Sequence, residues 1–117
     1  MRTLLAVTPI VVAAIGLANA PTRKAVATSV DAGVTIRTFQ FAPDTVRVKA
    51  GTRVVWTNND DIEHTITSGT PDDTTGPFHG VVPKSGATYS AVLNEAGTFR
   101  YFCDRHRFMN GTVIVTR

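Results

Sequence analysis

The segment FCDRHRFMNG, residues 102–111, places three side chains that bind soft metals within seven residues of one another. They are Cys103, His106 and Met109, in the spacing Cys-x2-His-x2-Met, and Cys103 is the only cysteine of the chain. Thiolate and thioether sulfur select soft metals, and imidazole binds copper, zinc, iron and nickel. The spacing therefore predicts three ligands of one metal ion on a single loop.

A fourth ligand has to come from another part of the chain, and His64 is the candidate. It follows the polar turn WTNNDDIE and opens the short run HTITS, so we expect it at the end of a strand. Two imidazoles, one thiolate and a weakly bound thioether form the ligand set of blue-copper electron-transfer sites. The third histidine, His79 in GPFHG, has no soft partner at such a spacing, and we expect it on a surface loop.

The first twenty residues predict a cleavable export signal. Arg2 precedes an apolar run over residues 4–17, and Ala-Asn-Ala at 18–20 matches a cleavage site. The run is shorter than the roughly 20 apolar residues of a membrane span, and Pro9 interrupts it. We therefore expect a periplasmic or extracellular protein with no stable membrane insertion after cleavage.

Export leaves two interpretations of the single cysteine open. Cysteines of exported proteins usually pair in disulfides, but Cys103 has no second cysteine to pair with. Its thiol is then either buried and inert or held as a thiolate by a metal. The neighbouring His106 and Met109 favour the metal.

Alternating apolar and polar residues predict strands and no helix in the mature chain. The strand patterns cover residues 34–41, 45–50, 52–58, 87–93, 98–103 and 111–117. Short strands with turn residues between them predict an all-β fold, a small Greek-key β-sandwich that we expect to be antiparallel. Val46, Val48, Val54 and Trp56 should face its core, and the ligand loops should lie at one end. Residues 68–80 predict a polar surface loop.

Length and charge limit the remaining possibilities. Cleavage after residue 20 leaves 97 residues, which suit one domain: a loosely ordered N-terminal arm over 21–33 and a metal-binding domain over 34–117. Eleven basic and nine acidic side chains then remain, and a net charge of +2 is too small to indicate nucleic-acid binding. No nucleophile–base pair or catalytic carboxylate pair is present, so an electron carrier is favoured over an enzyme.

Two segments of the chain resemble the cupredoxins of the plastocyanin/amicyanin type. They are FQFAPDTVRVKAGTRVVWTNNDDIEHT and AGTFRYFCDRHRFMNGTVIV, and the spacing of the second is most similar to amicyanins. The resemblance implies one copper ion, cycling between Cu(I) and Cu(II), with the ligands His64, Cys103, His106 and Met109. It also implies a soluble one-electron carrier between exported redox partners.

The chain departs from the cupredoxin pattern beside the ligands. Thr65 follows the first ligand histidine, where the family often has an asparagine that ties the two ligand loops together. Arg105 and Arg107 flank His106, where amicyanin-like loops carry prolines. Proline has no N–H, so we expect Arg105 to add a backbone donor near the Cys103 sulfur. Such a bond would give a higher reduction potential than an Arg105→Pro variant shows in voltammetry.

The same loop predicts a docking surface for redox partners. We expect His106 to be the ligand nearest solvent, with Phe108 in an apolar patch and Arg105 and Arg107 steering toward an acidic partner. A monomer is the expected state of a diffusible carrier. Two alternatives stay open: a copper carrier or storage protein of the export space, and a copper-free β-sandwich interaction module with an inert Cys103.

Overall fold

A computed structural model describes residues 31–117 of the chain. These residues form nine strands: β1 (Ala32–Arg37), β2 (Gln40–Ala42), β3 (Thr45–Lys49), β4 (Thr52–Asn58), β5 (His64–Ser68), β6 (His79–Val82), β7 (Thr88–Leu93), β8 (Gly97–Phe102) and β9 (Asn110–Thr116). One sheet has the order β2-β1-β4-β7 and the other β3-β9-β8-β5-β6. The all-β sandwich predicted from the sequence is confirmed. Within residues 31–117, no helix has the length and apolar character needed to cross a membrane.

The sheets are mixed, so the expectation of a purely antiparallel sandwich is wrong. β1 pairs with β4 in parallel, and β3 pairs with β9 in parallel, while the other strand pairs are antiparallel. The alternation of side chains along a strand identifies its buried face. It does not identify the neighbouring strand or that strand's direction, and the sequence pattern therefore could not distinguish the two arrangements.

A left-handed turn divides the predicted strand over residues 34–41 into β1 and β2. Thr38 and Phe39 have φ angles of 53° and 58°, a region that residues other than glycine seldom occupy. The carboxylate of Asp60 accepts a hydrogen bond from the backbone N–H of each, at 2.7 and 2.9 Å. These bonds join the turn to the loop that precedes His64.

The core lies between the sheets and follows the predicted alternation. Val46, Val48, Val54 and Trp56 are buried, as expected, and β3 exposes the residues between its valines. Trp56 lies among three aromatic rings, with ring centroids 5.4 Å away in Phe78, 5.7 Å in Tyr89 and 5.5 Å in Tyr101. The core thus supports β4 and β8, the strands that lead toward the ligand loops.

The pairing of β5 with β8 brings the predicted ligands to one end of the sandwich. The two strands are antiparallel, with Thr67 opposite Phe102 and Ser68 opposite Tyr101. The beginning of β5, at His64, therefore lies beside the end of β8, which is followed directly by Cys103. All five residues of β5 are buried, although three of them are threonine or serine.

Two predicted boundaries differ from the observed ones. β6 occupies the end of the stretch expected to be a loop, so His79 is the first residue of a strand and not a loop residue. β1 begins at Ala32, two residues before the predicted domain, and Asp31 pairs with Arg53 at 2.6 Å. The remainder of the predicted arm and the predicted signal peptide lie outside the described residues.

Candidate metal centre

Three of the four predicted ligand side chains meet at one point. The Cys103 Sγ lies 3.8 Å from His64 Nδ1 and 3.9 Å from His106 Nδ1, and the three donor atoms lie within 4.8 Å of one another. His64 and Cys103 are completely buried, whereas His106 is partly exposed. In residues 31–117, this is the one cluster of three or more His, Cys, Asp or Glu side chains with metal-binding geometry.

The spacing of the donor atoms fits a metal ion. Bonds of about 2.0 to 2.3 Å to nitrogen and sulfur at a trigonal centre place two ligand atoms roughly 3.6 to 3.9 Å apart. The two measured sulfur–nitrogen distances fall in that range. One thiolate with two imidazoles is the donor set of a trigonal copper site, which a weak axial methionine completes.

Met109 is buried in the same loop, and the backbone holds it close to the other ligands. Its N–H donates to the carbonyl of His106 at 2.9 Å, and its carbonyl accepts a hydrogen bond from the N–H of Cys103 at 3.2 Å. Only 2% of its surface is exposed, whereas Phe108 beside it is 69% exposed. The loop thus directs the Met109 side chain toward the protein interior and the Phe108 side chain toward solvent.

Asp60 orients the buried His64. Its Oδ2 lies 2.9 Å from the Nε2 of His64, so that this nitrogen carries the proton and Nδ1 faces the sulfur of Cys103. Burial by itself raises the pKa of the Asp60 carboxyl, but the N–H groups of Phe39 and Thr38 and the His64 ring together hold this pKa below its ordinary value. Asp60 therefore stays ionised beside the imidazole.

Phe39, at the left-handed turn, packs against both imidazoles. Its ring meets His64 edge-on at 5.3 Å between centroids and His106 at 4.8 Å. The Phe108 ring lies 6.5 Å from it on the outer side. The sequence did not indicate this contact of Phe39, because Phe39 lies in an alternating strand pattern that carries no sign of the turn. Asp60 was missed as a contact because an acidic run normally indicates solvated side chains, although its position four residues before His64 was a usable signal.

Thr65 joins the two ligand loops through both its backbone and its side chain. Its N–H donates to the Cys103 sulfur at 3.3 Å, and its hydroxyl accepts a hydrogen bond from the N–H of Asp104 at 2.7 Å. In the described part of the chain, the N–H that reaches the sulfur is that of Thr65. The sulfur thus receives this hydrogen bond from the first ligand loop, and the bond expected from the Arg105 backbone stays a prediction.

A short hydrogen-bonded chain continues from Thr65 toward the surface. The Thr65 and Thr67 hydroxyls are 3.1 Å apart, and Thr67 donates to the Asp104 carboxylate at 2.8 Å. Because the Thr67 hydroxyl already donates its hydrogen bond to Asp104, the Thr65 hydroxyl must be the donor between the two threonines. His79 Nε2 lies 3.4 Å from the same carboxylate, is exposed, and is not part of the cluster around Cys103. These bonds satisfy the buried threonines of β5.

The two arginines beside His106 have different surroundings. Arg105 forms an ion pair with Glu63, with Nη1 2.8 Å from Oε1. Arg107 is exposed, and no ion pair involves it in residues 31–117. The steering charge expected of Arg105 is therefore partly neutralised within the molecule, and Arg107 is the freer of the two.

Comparisons with known proteins assign the family. The family model of copper binding proteins of the plastocyanin/azurin family matches residues 28–116. The chain belongs to this family of copper-binding proteins. It is therefore a cupredoxin, and one copper ion is its cofactor.

Individual relatives and solved structures agree with the family. The cupredoxin is 35% identical over 82 residues to amicyanin-alpha of Methylorubrum extorquens, covering 70% of this chain and 69% of the relative. It is 34% identical to the plastocyanin of Scenedesmus fuscus, over 64% of this chain and 85% of the relative. Its fold matches a purple cupredoxin from Nitrosopumilus maritimus with a TM-score of 0.67 at 26% identity, over 74% of this chain and all of that one. It also matches amicyanin from Paracoccus versutus with a TM-score of 0.62 at 29% identity, over 74% and 81%.

Proposed function

We propose that His64, Cys103, His106 and Met109 hold the copper ion of this blue copper protein, which carries one electron at a time between exported redox proteins. The observation that carries the assignment is the meeting of His64 with Cys103. They are 39 positions apart in the chain, yet their donor atoms lie 3.8 Å apart in a fully buried site.

The protein holds its ligands in place with contacts that do not depend on the metal. When bound, copper supplies one-electron chemistry, because it is stable as both Cu(I) and Cu(II). His64 is held by Asp60, and the Cys103 sulfur by the N–H of Thr65. Ligands that cannot move when the charge of the metal changes keep the reorganisation small, and electron exchange is then fast.

We place the route for electrons at His106, the ligand that reaches the surface. His106 is partly exposed, and Phe108 next to it offers a large apolar side chain to solvent. Redox encounters are usually weak and small in area, and such a patch suits them. Arg107 then steers acidic partners toward the patch, with Arg105 contributing less because of its pairing with Glu63.

Burial of the ligands favours electron transfer over catalysis or copper delivery. His64, Cys103 and Met109 each have 2% or less of their surface exposed. A substrate cannot approach the metal from their side, and His106 is the one ligand through which the site reaches solvent. A copper carrier or storage protein would instead release its ion reversibly and exchange electrons slowly, and a self-exchange measurement distinguishes the two.

Location and assembly rest on the sequence. The predicted signal over residues 1–20 supports a protein exported to the periplasm or beyond, and a diffusible electron carrier of this size functions as a monomer. Cleavage is tested by the mass of the secreted protein, and assembly by its sedimentation.

Absorption and paramagnetic-resonance spectra of the copper-loaded mature protein test the ligand assignment. We expect an intense thiolate–copper band near roughly 600 nm and a small copper hyperfine splitting. Cys103→Ala should abolish the band, whereas His79→Ala should leave it intact, because His79 lies outside the cluster. Metal content is measured alongside, since zinc fits the same ligands.

Two results would contradict the proposal. One is an oxidised protein that contains a full equivalent of Cu(II) and is nevertheless colourless. The other is a band that survives in Cys103→Ala, which would place the copper elsewhere.

A further inference from the structure

We propose that Glu63 and Arg105 form a latch between the two ligand loops, and that this latch positions His106. The inference rests on the proposed ligand assignment, because the position of His106 matters to function only if His106 binds the copper ion. Each partner immediately precedes a ligand histidine in the chain: Glu63 precedes His64, and Arg105 precedes His106. Their side chains meet with Arg105 Nη1 2.8 Å from Glu63 Oε1.

The latch connects segments that are far apart in the sequence. The two residues are 42 positions apart, and their pairing joins the loop before His64 to the loop that carries His106. On the inner side the loops are already joined, since Thr65 bonds to the Cys103 sulfur and to the Asp104 N–H. The ion pair is a second connection between the loops that carry the two histidines, whose ring centroids lie 5.1 Å apart.

His106 is the proposed ligand whose position depends most on this connection. His64 is buried and bonded to Asp60, and Cys103 is buried and bonded to Thr65. His106 is partly exposed, and its carbonyl accepts a hydrogen bond from the Met109 N–H within the same loop. Its ring meets the rings of Phe39, His64 and Phe108 at steep angles and stacks on none of them. A tether on the residue directly before it restricts the backbone that carries the ring.

The chemistry of arginine explains how the tether acts without burial. The guanidinium is always charged. Because it is also planar and its N–H groups have fixed directions, an arginine side chain loses less rotamer entropy per hydrogen bond to a carboxylate than a lysine side chain does. The side chains are 54% and 36% exposed, and an ion pair so exposed contributes little to the stability of the whole protein. We therefore expect a local effect on loop order and ligand position, with the melting temperature nearly unchanged.

Four variants separate positioning from charge. Glu63→Gln and Arg105→Gln each break the ion pair but change the net charge in opposite directions, and the exchange of both, Glu63→Arg with Arg105→Glu, restores a pair of reversed polarity. Arg107→Gln is the matched control, because it removes the same charge on the other side of His106 from a residue without an ion pair in residues 31–117. The variants are compared at low ionic strength, where the pair is least screened.

The first measurement needs no metal. Amide order parameters of residues 104–108 are obtained by nuclear magnetic resonance on the metal-free protein. We expect them to fall from about 0.85 toward 0.6 in both single variants, to recover in the exchanged pair and to be unaffected in Arg107→Gln. Adding salt should lower them in the wild-type protein and not in Glu63→Gln.

The second measurement uses the copper-loaded protein. We expect electron self-exchange to slow at least threefold in both Glu63→Gln and Arg105→Gln, although their charge changes are opposite, and to recover in the exchanged pair. A purely electrostatic role would instead move the two rates in opposite directions and give Arg107→Gln the same effect as Arg105→Gln.

The latch is overturned if the order parameters of residues 104–108 do not change in either single variant, or if the exchanged pair fails to restore them. It is also overturned if the two self-exchange rates move in opposite directions. A wild-type protein loaded with Cu(II) that shows no blue band would contradict the proposed function alone, because the measurement on the metal-free protein would still decide the latch.

Discussion

At the scale of single residues, the ligands depend on neighbours that never touch the metal. Asp60 accepts hydrogen bonds from His64 and from the backbone of Thr38 and Phe39, so one carboxylate joins the first ligand to the turn that covers both imidazoles. Its own backbone N–H donates to the buried Asn58. This network holds the loop before His64 through hydrogen bonds that involve no metal.

Replacing Asp60 by asparagine should raise the reduction potential. A carboxylate 2.9 Å from the ligand imidazole stabilises the more positive oxidised state, so removing its charge favours the reduced state. We expect a rise of about 60 mV in voltammetry, which corresponds to a tenfold change in a one-electron equilibrium.

Asp61→Asn is the matched control for that variant, because it removes the same charge from an exposed neighbour. An equal shift in the two variants would show that net charge, and not the bond to His64, sets the potential.

At the scale of elements, the ligand loop is held by the strands on either side of it. β8 ends at Phe102 and β9 begins at Asn110, with Tyr101 opposite Gly111 in the pairing. The two strands are neighbours in the five-stranded sheet. The pairing of β8 with β9 therefore determines the distance between the two ends of the loop. A strand pair that opens here would move Cys103 and Met109 apart.

Gly111→Ala should weaken this support. A Cβ at Gly111 would overlap the buried Tyr101 ring, which cannot move away from the core. We expect the free energy of unfolding of the metal-free protein to fall by about 1 to 3 kcal/mol in a urea titration. Gly33→Ala is the control, since no atom lies within 4 Å of the added methyl group, and it should change stability little. Equal losses in both variants would point to backbone effects instead of this contact.

At the scale of the whole molecule, the sandwich combines a tightly packed interior with a charged and aromatic end. The interior contains two unsatisfied polar atoms in residues 31–117, Trp56 Nε1 and Tyr101 Oη. The exposed end carries Phe108 and Arg107 beside the partly exposed His106. Stability therefore depends on the buried interior and partner recognition on the exposed end, and the two can be tested separately.

Tyr101→Phe tests how the buried Tyr101 hydroxyl makes the stability of the protein depend on pH. Burial raises the pKa of Tyr101 to about 12, whereas the unfolded chain should have a value near 10. Between these values the unfolded chain loses the proton and the folded protein keeps it, so stability falls as pH rises, by about 2 to 3 kcal/mol across the window. The variant should lose this part of the alkaline decline.

At pH 7, we expect Tyr101→Phe to unfold at the same or a slightly higher urea concentration, because it removes a buried hydroxyl that has no partner in the described residues. An unchanged alkaline decline would assign the titration to another group.

Arg107→Gln tests the charged end. Oxidation by hexacyanoferrate, a small anion, should be about two- to threefold slower in the variant at low salt, and the difference should disappear as salt is added. A cationic cobalt complex is the control oxidant and should react slightly faster with the variant. If both oxidants react more slowly, the substitution has changed the copper site and the steering role is wrong.

The sequence by itself determined the chemistry of the site and the type of fold. Cys103, His106 and Met109 are close in the chain, so their spacing indicated a common metal without any knowledge of the fold. His64 could be added because it opens a strand pattern, and strand ends gather at the ends of a sandwich. Alternation also identified the buried faces of β3 and β4 correctly, because side chains on a strand point to opposite sides in turn.

Only the tertiary structure decided which groups support the ligands. Four features join segments distant in the chain: the parallel pairings, the bonds from the left-handed turn to Asp60, the bond from Thr65 to the Cys103 sulfur, and the Glu63–Arg105 ion pair. Local patterns report which face of a segment avoids water. They carry no information on which other segment will lie against that face, because that choice is made by the packing of the whole core.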